Sequence, residues 1–515
     1  MPAFAADSAW PPKAAVGVYA DMAEADAWYT GDKGELAKFY GQTSQRERHP
    51  ERLWTQTRAF TERERRLHIP LAGDIASTSA DLLFSEPPTF TVEDTKTQDR
   101  LNTLIDEGGV HMRLLEAAEQ AAALGDAYLA LAWDRDVIPD RPILVAWPGD
   151  AAIPTFRWGR LTEVVFWREI SREGERVVRF LERHAVEQGK GVIEYTVHVG
   201  TSAILGELAP LADYDDTKPY AELDGGRQET GIGLLTATHI PNMRPNRKHR
   251  NAHGRSDYAG IYDLFDGLDA TWTSWLRDIR LARARLIVPQ GYLESLGPGQ
   301  GAVVDLEREI WTELNMDPSH SQGITMNQFA IRVAEHEASA ARFTERAVSS
   351  AGYSPATFGL DLQGGGQTAT EVVHRQRRSM TTRARKAEYW APALRRILEA
   401  MLALDAVQFS SGIAVEVPTV EFGDVVAPDP EATARTLQLL EAAGAISTYL
   451  KVATLHPDWD GEQIDEEVTR IRDDGATLVA TPDLDDDGPP AGDDKQDPAD
   501  ADTPTEDDPA TDAEA

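Results

Sequence analysis

Three glycines followed by Gln367 and Thr368 (Gly364-Gly365-Gly366-Gln367-Thr368) form the stretch that most invites a chemical reading. Glycines ahead of a helix N-terminus can cradle a phosphate. A nucleotide-binding loop, however, needs Gly-Lys-Ser/Thr at the helix start and a buried strand before it. Here Gln367 stands where the lysine should be and no such strand precedes, so the stretch is expected to be a loop and not a nucleotide site. Asp483-Leu-Asp-Asp-Asp487-Gly488 matches the first half of a calcium loop, with Asp494 where the bidentate Glu belongs. Pro489-Pro490 and the lack of flanking helices spoil that match. His336 lies between Glu335 and Glu337, but no His-Glu-Xaa-Xaa-His follows and no other zinc spacing occurs. There is no Gly-Xaa-Ser-Xaa-Gly elbow and no Cys, which excludes a serine elbow, a thiolate ligand and a cysteine nucleophile. Carboxylates are too frequent for any pair to stand out. The expectation is a protein without catalytic residues, cofactor or metal.

Two basic groups remain. Arg244, Arg247, Lys248, His249, Arg250, His253 and Arg255 cluster among Pro, Asn and Gly between Asn242 and Arg255. This loop could contact phosphate or neutralise acidic neighbours. Arg375, Arg377, Arg378, Arg383, Arg385 and Lys386 lie on a helical stretch and could form a DNA-facing band, an intersubunit face or a solvated face.

Both groups sit in an acidic chain. Its 515 residues carry a formal charge of −35, and 16 acidic residues against Lys495 alone place −15 of it between Asp473 and Ala515. A surface of this sign repels phosphate and opposes tight wrapping of nucleic acid through counterion release. It permits a surface past which DNA slides. No run of 18 apolar residues occurs, so no membrane span is expected, and the first residues lack the pattern of a signal peptide.

The elements that must position these residues follow from periodicity. Ile261, Phe265, Leu268, Trp272, Trp275, Ile279, Ala282 and Leu286 alternate at steps of 4 and 3, which puts them on one stripe of a helix from Ser256 to Arg285. Such a helix would be roughly 45 Å long, capped by Ser256 or Asp257. It could be a core helix or a strut in an assembly. Phe329, Val333, His336, Ala340, Phe343 and Ala347 repeat the spacing over Asn327–Ser350. The irregular segment between them, with a strand at Val303-Val304, makes the pair a stem with a tip. Thr368-Ala-Thr-Glu371 is a capping box for a third long helix to about Ala406, which Pro392 should kink or divide.

Elsewhere, short helices are expected at Tyr19–Trp28 and Asp32–Tyr40, a mixed-charge solvated helix at Arg46–Arg66, and an amphipathic helix at Leu101–Leu124 with a break at Gly108-Gly109. Ala127–Trp133, Ile143–Trp147, Val164–Ile170, Arg176–Val186 and Val192–Val199 form an antiparallel meander. A strand at Glu416–Phe422 and helices from Asp429, Ser447 and Asp460 follow. The tail beyond has too little apolar surface to pack. The fold class is α+β.

The order of these elements, with three segments, resembles the portal proteins of tailed bacteriophages. His68-Ile-Pro-Leu-Ala-Gly-Asp-Ile-Ala76 through Leu83-Phe84-Ser-Glu-Pro-Pro88 is similar to their early segment. Ser256-Asp257-Tyr-Ala-Gly-Ile-Tyr-Asp-Leu-Phe-Asp-Gly-Leu-Asp269 resembles the helix entering their stem. Gly444-Ala-Ile-Ser-Thr448 with Leu455-His-Pro-Asp-Trp-Asp460 and Glu466-Glu467 resembles their C-terminal segment. Gln367-Thr-Ala-Thr-Glu-Val372 departs from the Ser-Gly-Val-Ala form of the best-known branch.

The resemblance, which spans residues 50–472, implies a portal fold of long stem helices, an antiparallel β-rich wing and a helical crown. It implies a ring of about twelve copies at one capsid vertex, around a channel for double-stranded DNA. The implied regions are a flexible arm (1–17), a wing (18–240) and the basic loop with the first stem helix (241–286). A clip (287–326), a second stem helix (327–351) and a tunnel loop (352–367) follow. The long wing/crown helix and strand (368–428), crown helices (429–472) and a disordered acidic tail (473–515) complete the chain. The stem helices would pack between subunits through Ile261, Phe265, Leu268, Trp272, Trp275, Ile279, Phe329, Val333 and Phe343. Asp361, Gln363, Gly364, Gly365, Gly366 and Gln367 would face the channel. The implied partners are further copies, DNA, the terminase large subunit, major capsid and scaffolding proteins, and a head-completion or adaptor protein. The place would be the virion, after assembly in the host bacterial cytoplasm. The alternative is an oligomeric phage scaffold or adaptor without a DNA channel.

Overall fold

The computed structural model describes residues 4–55, 66–282, 285–287, 294–295, 302–303, 325–327, 330–360, 369–423, 430–456 and 459–477. The chain is α+β and divides into two compact units, Met1–Ala427 and Pro428–Ala515.

The first unit opens with α1 (Lys13–Tyr29), α2 (Lys33–Tyr40) and α3 (Thr43–Arg48). Residues 4–17, expected as a free arm, are anchored. Ala9 forms a β-bridge with Ile204, and Trp10 is buried edge-on against Trp167 at 5.2 Å. An aromatic ring of this size gains too much by burial to stay in solvent. The expected helix from Arg46 to Arg66 ends at Arg48, and Arg52 is buried rather than solvated. Residues 56–65 lie outside the described residues.

α4 (Leu71–Phe84) buries Leu71, Ala72, Ile75, Ala76, Ser79, Ala80, Leu82, Leu83 and Phe84, with Pro70 just ahead of its first turn. The short strand β1 (Thr89–Thr91) follows. α5 (Thr95–Asp106) starts where the Asp94 carboxylate accepts the Thr97 N–H at 2.9 Å. α6 (Val110–Leu124) begins after Gly109, whose φ of +61° breaks the two helices apart where the Gly108-Gly109 pair predicts.

The meander divides into two sheets. β2 (Asp126–Ala132) lies between β3 (Ile143–Pro148) and a later strand. The larger sheet runs through β4 (Ala152–Arg157), β5 (Arg160–Glu173), β6 (Arg176–Glu187), β7 (Lys190–Gly200) and β8 (Glu207–Ala209), with β9 (Arg227–Glu229) also pairing with β7. β10 (Ala237–Pro241) returns to pair antiparallel with β2. The division was hidden because strand sequences carry period and length but not partner identity. Gly125 and Gly254 mark where two backbones cross. A Cβ on Gly125 would come within 2.8 Å of the Ser256 nitrogen, and one on Gly254 within 2.1 Å of the Gly125 oxygen.

α7 (Tyr262–Leu281) is shorter than the Ser256–Arg285 helix expected. Its 20 residues span about 30 Å. Ser256 to Ile261 form turns instead, because Asp257 is committed elsewhere and cannot cap. The strands β11 (Arg285–Ile287), β12 (Glu294–Ser295), β13 (Ala302–Val303) and β14 (Thr325–Asn327) lead to α8 (Val333–Ala351). β11 pairs antiparallel with β14, and β12 with β13. α9 (Ala369–Gln408) runs unbroken for 40 residues through Pro392, where division was an alternative. β15 (Thr419–Glu421) pairs with β1.

Two cores hold this unit. One joins α4, α5, α6, β2 and α9 through residues such as Leu83, Leu101, Leu114, Leu131, Ile397 and Leu404. The other joins α1, α2, α4, α7 and α8 through Trp28, Ile75, Phe265, Leu268 and Val348. Each such side chain contributes about 1.5–3 kcal/mol by leaving water. α4 serves both cores, with Ala80, Leu83 and Phe84 in the first and Leu71, Ala72, Ile75, Ala76 and Leu82 in the second, which explains why most of its residues are buried. In the second unit α10 (Pro430–Ala442), α11 (Thr448–Leu455) and α12 (Gly461–Thr477) form a small helical body around Val452, Ile464 and Val468. Ser447 caps α11 by accepting the Leu450 N–H at 3.2 Å.

One polar node ties the first unit together. The Lys386 ammonium, 1% exposed, donates to Asp257 Oδ2 at 2.6 Å, Ser79 Oγ at 2.7 Å and Tyr353 Oη at 2.9 Å. Tyr353 donates to Asp257 Oδ2 at 2.7 Å, and the Asn242 amide donates to Asp257 Oδ1 at 2.8 Å. All three ammonium protons and both carboxylate oxygens are used, the condition under which a buried pair is tolerated. Removing one partner strands the other. Lys386→Met should cost about 3–5 kcal/mol in urea denaturation, and adding Asp257→Asn should recover part of that loss. Strictly additive costs would show that the two groups do not act as a pair.

Candidate functional site

α7 and α8 form an antiparallel hairpin whose two halves have different surroundings. Pairing of β11 with β14 continues the hairpin beyond the helix ends.

At the base, the α7 stripe is enclosed by its own chain. Ile261, Phe265 and Leu268 are 3%, 2% and 1% exposed, packed with Trp28, Tyr258 and Val348. A row of carboxylates at three-residue steps runs beside the stripe. Asp269 is fully buried and accepts from Trp54 Nε1 at 3.1 Å, His68 Nδ1 at 2.8 Å and the Ile69 N–H at 2.9 Å. Asp266 accepts the Leu53 N–H at 3.1 Å, and Asp263 pairs with Arg52 at 3.1 Å. About two turns of the helix are thus fastened to Arg52–Trp54 and to His68 and Ile69. Residue-by-residue reading missed these carboxylates; the i, i+3, i+6 spacing beside an apolar stripe was the available signal.

Further along, the helices hold each other through aromatic and ionic contacts. Gly267 lets the helices approach: a Cβ there would meet the Phe343 ring at 2.8 Å. Trp272 stacks on Trp275 at 5.1 Å, and Trp275 on His336 at 5.9 Å. His336 Nε2 and Arg332 Nε each reach Asp278 Oδ2 at 2.9 Å. His336 and then Arg332 hold the Asp278 carboxyl below its ordinary range. The histidine flanked by two glutamates is therefore a bolt between helices. Among the described residues no group of three or more His, Cys, Asp or Glu could hold a metal.

Among the described residues nothing covers the outer half. Trp272 and Trp275 are half-buried, while Ile279 and Val333 are each 47% exposed and Ile331 is 38% exposed. Nearer the base, half-buried Phe343 with Leu264, Ala338, Ser339, Arg342 and Arg346 lines a groove of about 610 Å³. Phe329 and the loop residues Asp361, Gln363, Gly364, Gly365, Gly366 and Gln367 lie outside the described residues.

The basic residues are largely spent on internal partners. Lys248 and His249 Nε2 pair with Asp21, the second at 2.9 Å. His253 Nδ1 and His239 Nε2 pair with the buried Asp126 at 2.7 and 2.6 Å, and Gly254 N–H adds a third bond at 2.8 Å. Burial opposes the Asp126 charge, but the two imidazoles outweigh it and hold the carboxyl at about 2. Arg247 and Arg250 are exposed. On α9 the expected basic face is split. Lys386 is in the buried node, Arg383 donates to the Leu82 and Gly423 carbonyls, and Arg377, Arg378 and Arg385 are exposed. The side chain of Arg375 is outside the described residues.

No protein-family model matches the chain, and no curated protein matches it. Among solved structures, the chain is similar to one in the neck of a native GTA particle computed with C12 symmetry. That likeness has a TM-score of 0.39 at 14% identity, over 75% of this chain and 89% of the other. A chain in the neck of an empty GTA particle computed with C6 symmetry gives 0.41 at 13% identity, covering 75% and 90%. A chain in the virion of a native gene transfer agent particle gives 0.40 at 12% identity, covering 88% and 96%.

Burial raises the Asp266 carboxyl to about 6, against the opposing Leu53 N–H and Arg52. Its folded value lies above the unfolded value of about 3.9, so native protein binds this proton more tightly. The stabilisation is full below about pH 4 and is lost as pH rises through about 6. Asp266→Asn keeps an acceptor for Leu53 and should raise stability at pH 7.5 by on the order of 1 kcal/mol, with no gain at pH 4. Equal effects at both pH values in denaturant titrations would contradict the burial of this charge.

Proposed function

We propose that the chain is a phage portal protein, a ring-forming conduit at one capsid vertex through which double-stranded DNA is packaged and ejected. The observation that carries the reading is the α7–α8 hairpin, bolted to the body at its base and, along its outer half, apolar and uncovered by the described residues. A hairpin that exposes Ile279 and Val333 and leaves Trp272 and Trp275 half-buried in one protomer is suited to packing against copies of itself. The three sequence segments that resemble portal proteins support the reading, because two of them hold residues with visible work. His68 and Ile69 meet Asp269, and Asp257 meets Lys386.

In a ring, the groove beside Phe343 would receive a neighbouring stem helix, with Arg342 and Arg346 at its rim. The segment between β11 and β14 would face the packaging terminase and later the head-completion protein. The net charge of −35 suits a conduit whose walls must not hold DNA. The chain would do no chemistry of its own, and ATP hydrolysis would fall to the terminase. No described helix is long and apolar enough to cross a membrane.

Negative-stain microscopy of purified protein tests the reading: rings with a central channel are expected, and a uniformly monomeric protein at micromolar concentration would refute it. Ile279→Asp should reduce assembly at least tenfold, measured by light scattering, with circular dichroism unchanged. A drop in helicity alongside would mean that Ile279 serves the fold of the protomer instead. Removal of 478–515 should leave assembly intact, since that segment has little apolar surface to bury.

A further inference from the structure

None of the described residues buries the Trp158 side chain. It sits at the tip of the β4–β5 hairpin and is 94% exposed, the most exposed large apolar side chain among the described residues. Its φ is +53°, followed by Gly159 at +73°. Two successive positive φ values make a tight hairpin turn that favours Asn-Gly. A bulky aromatic residue at the first of these positions is strained, and among the described residues none packs the indole to offset that strain. The tip is also basic: Arg157 and Arg160 flank it, both exposed, and no acidic residue lies between Phe156 and Thr162. Next to the turn the hairpin is seated by Phe156, edge-on to His239 at 5.0 Å and to His253 at 5.3 Å. A rigid, exposed Trp between two arginines has the composition of an interface anchor.

A matching surface lies at the opposite edge of the same sheet. Beside β7, β8 and β9, a groove of about 670 Å³ is lined by Tyr195, Leu208, Pro210, Leu211, Ala212 and Leu223. Leu208 is 54% exposed. The surrounding stretch from Glu207 to Glu229 carries Glu207, Asp213, Asp215, Asp216, Glu222, Asp224 and Glu229 against Lys218 and Arg227. Tip and groove are thus complementary in both shape class and charge. They cannot meet within one protomer: two strand spacings and several residues of strand separate Trp158 from Tyr195, more than about 20 Å by strand geometry.

We propose that Trp158 of one copy inserts into the groove beside β7–β9 of the next copy, with Arg157 and Arg160 on its acidic rim. A tip on one edge and a socket on the other make a head-to-tail contact, which closes into a ring when the rotation per copy allows. The contact rests on the ring reading for its closure, though not for its existence. It assigns to the large sheet an interface separate from the α7–α8 hairpin.

The absence of cysteine gives a clean test. The double variant Trp158→Cys with Ala212→Cys, oxidised with copper phenanthroline, should give a ladder of covalent oligomers on a non-reducing gel. Each single variant should remain a monomer on the gel. Trp158→Ala should raise the protein concentration needed for half-assembly at least tenfold, and Trp158→Phe should restore most of it. Rings in micrographs without a ladder, and with Trp158→Ala assembling normally, would overturn the contact while leaving the ring standing. A ladder from a protein that forms no rings would uphold the contact and refute the closed ring.

Discussion

The buried pair of Lys386 and Asp257 is the constraint on which the arrangement of the first unit depends. An ammonium removed from water is costly unless every proton finds an acceptor. Here the acceptors come from α4, from the turn ahead of α7 and from the residue pair after α8, while Asn242 at the end of β10 completes the carboxylate. Five chain segments must be in place for the node to be satisfied, so it fixes one arrangement among the many that apolar packing alone would allow. Asp257 stands five residues before α7, and Tyr353 two residues after α8. The node therefore sets where both arms of the hairpin leave the body.

What lies beyond the node follows from a second device, the carboxylate row on α7. Asp263, Asp266 and Asp269 fasten the base of the helix to the segment around Trp54 and His68. Asp278 fastens the outer part to Arg332 and His336 at the start of α8. One helix is thus divided into a part that belongs to the protomer and a part that can belong to an assembly. The aromatic stack of Trp272, Trp275 and His336 marks the boundary between the two.

The charge distribution has the same logic. Arg52, Arg100, Arg183, Arg383 and Lys386 are all engaged inside the fold, Arg100 by a two-pronged bond to the buried Asp405 at 3.0 and 2.7 Å. Most of these cations are matched by carboxylates inside the fold, so the surface keeps the acidic balance of the whole chain. The exposed basic residues that remain at Arg157, Arg160, Arg247 and Arg250 stand out against that background. A cation on an acidic surface is a candidate contact for another acidic surface, including that of a second copy.

Local order was legible from the sequence. The 4-3 spacing named the α7 stripe, the Gly108-Gly109 pair marked the break ahead of α6, and Ser447 capped α11 where its residue type predicts, whereas the Asp94 cap and the helix start at Thr95 were not read. The α+β class and most strands were legible for the same reason: periodicity and capping are properties of neighbours in the chain. What tertiary structure alone decided was which side of each pattern meets what. It divided the meander into two sheets, brought β10 to β2, drew Trp10 into the sheet, and took Lys386 from a basic helical face into the core. It also showed that Ile261, Phe265 and Leu268 are packed within the chain while Ile279 and Val333 are not. The stripe was the same in both halves; the difference lies in residues two hundred positions away that cover one half and not the other. Burial is a sum over distant neighbours, and no local spacing carries that information.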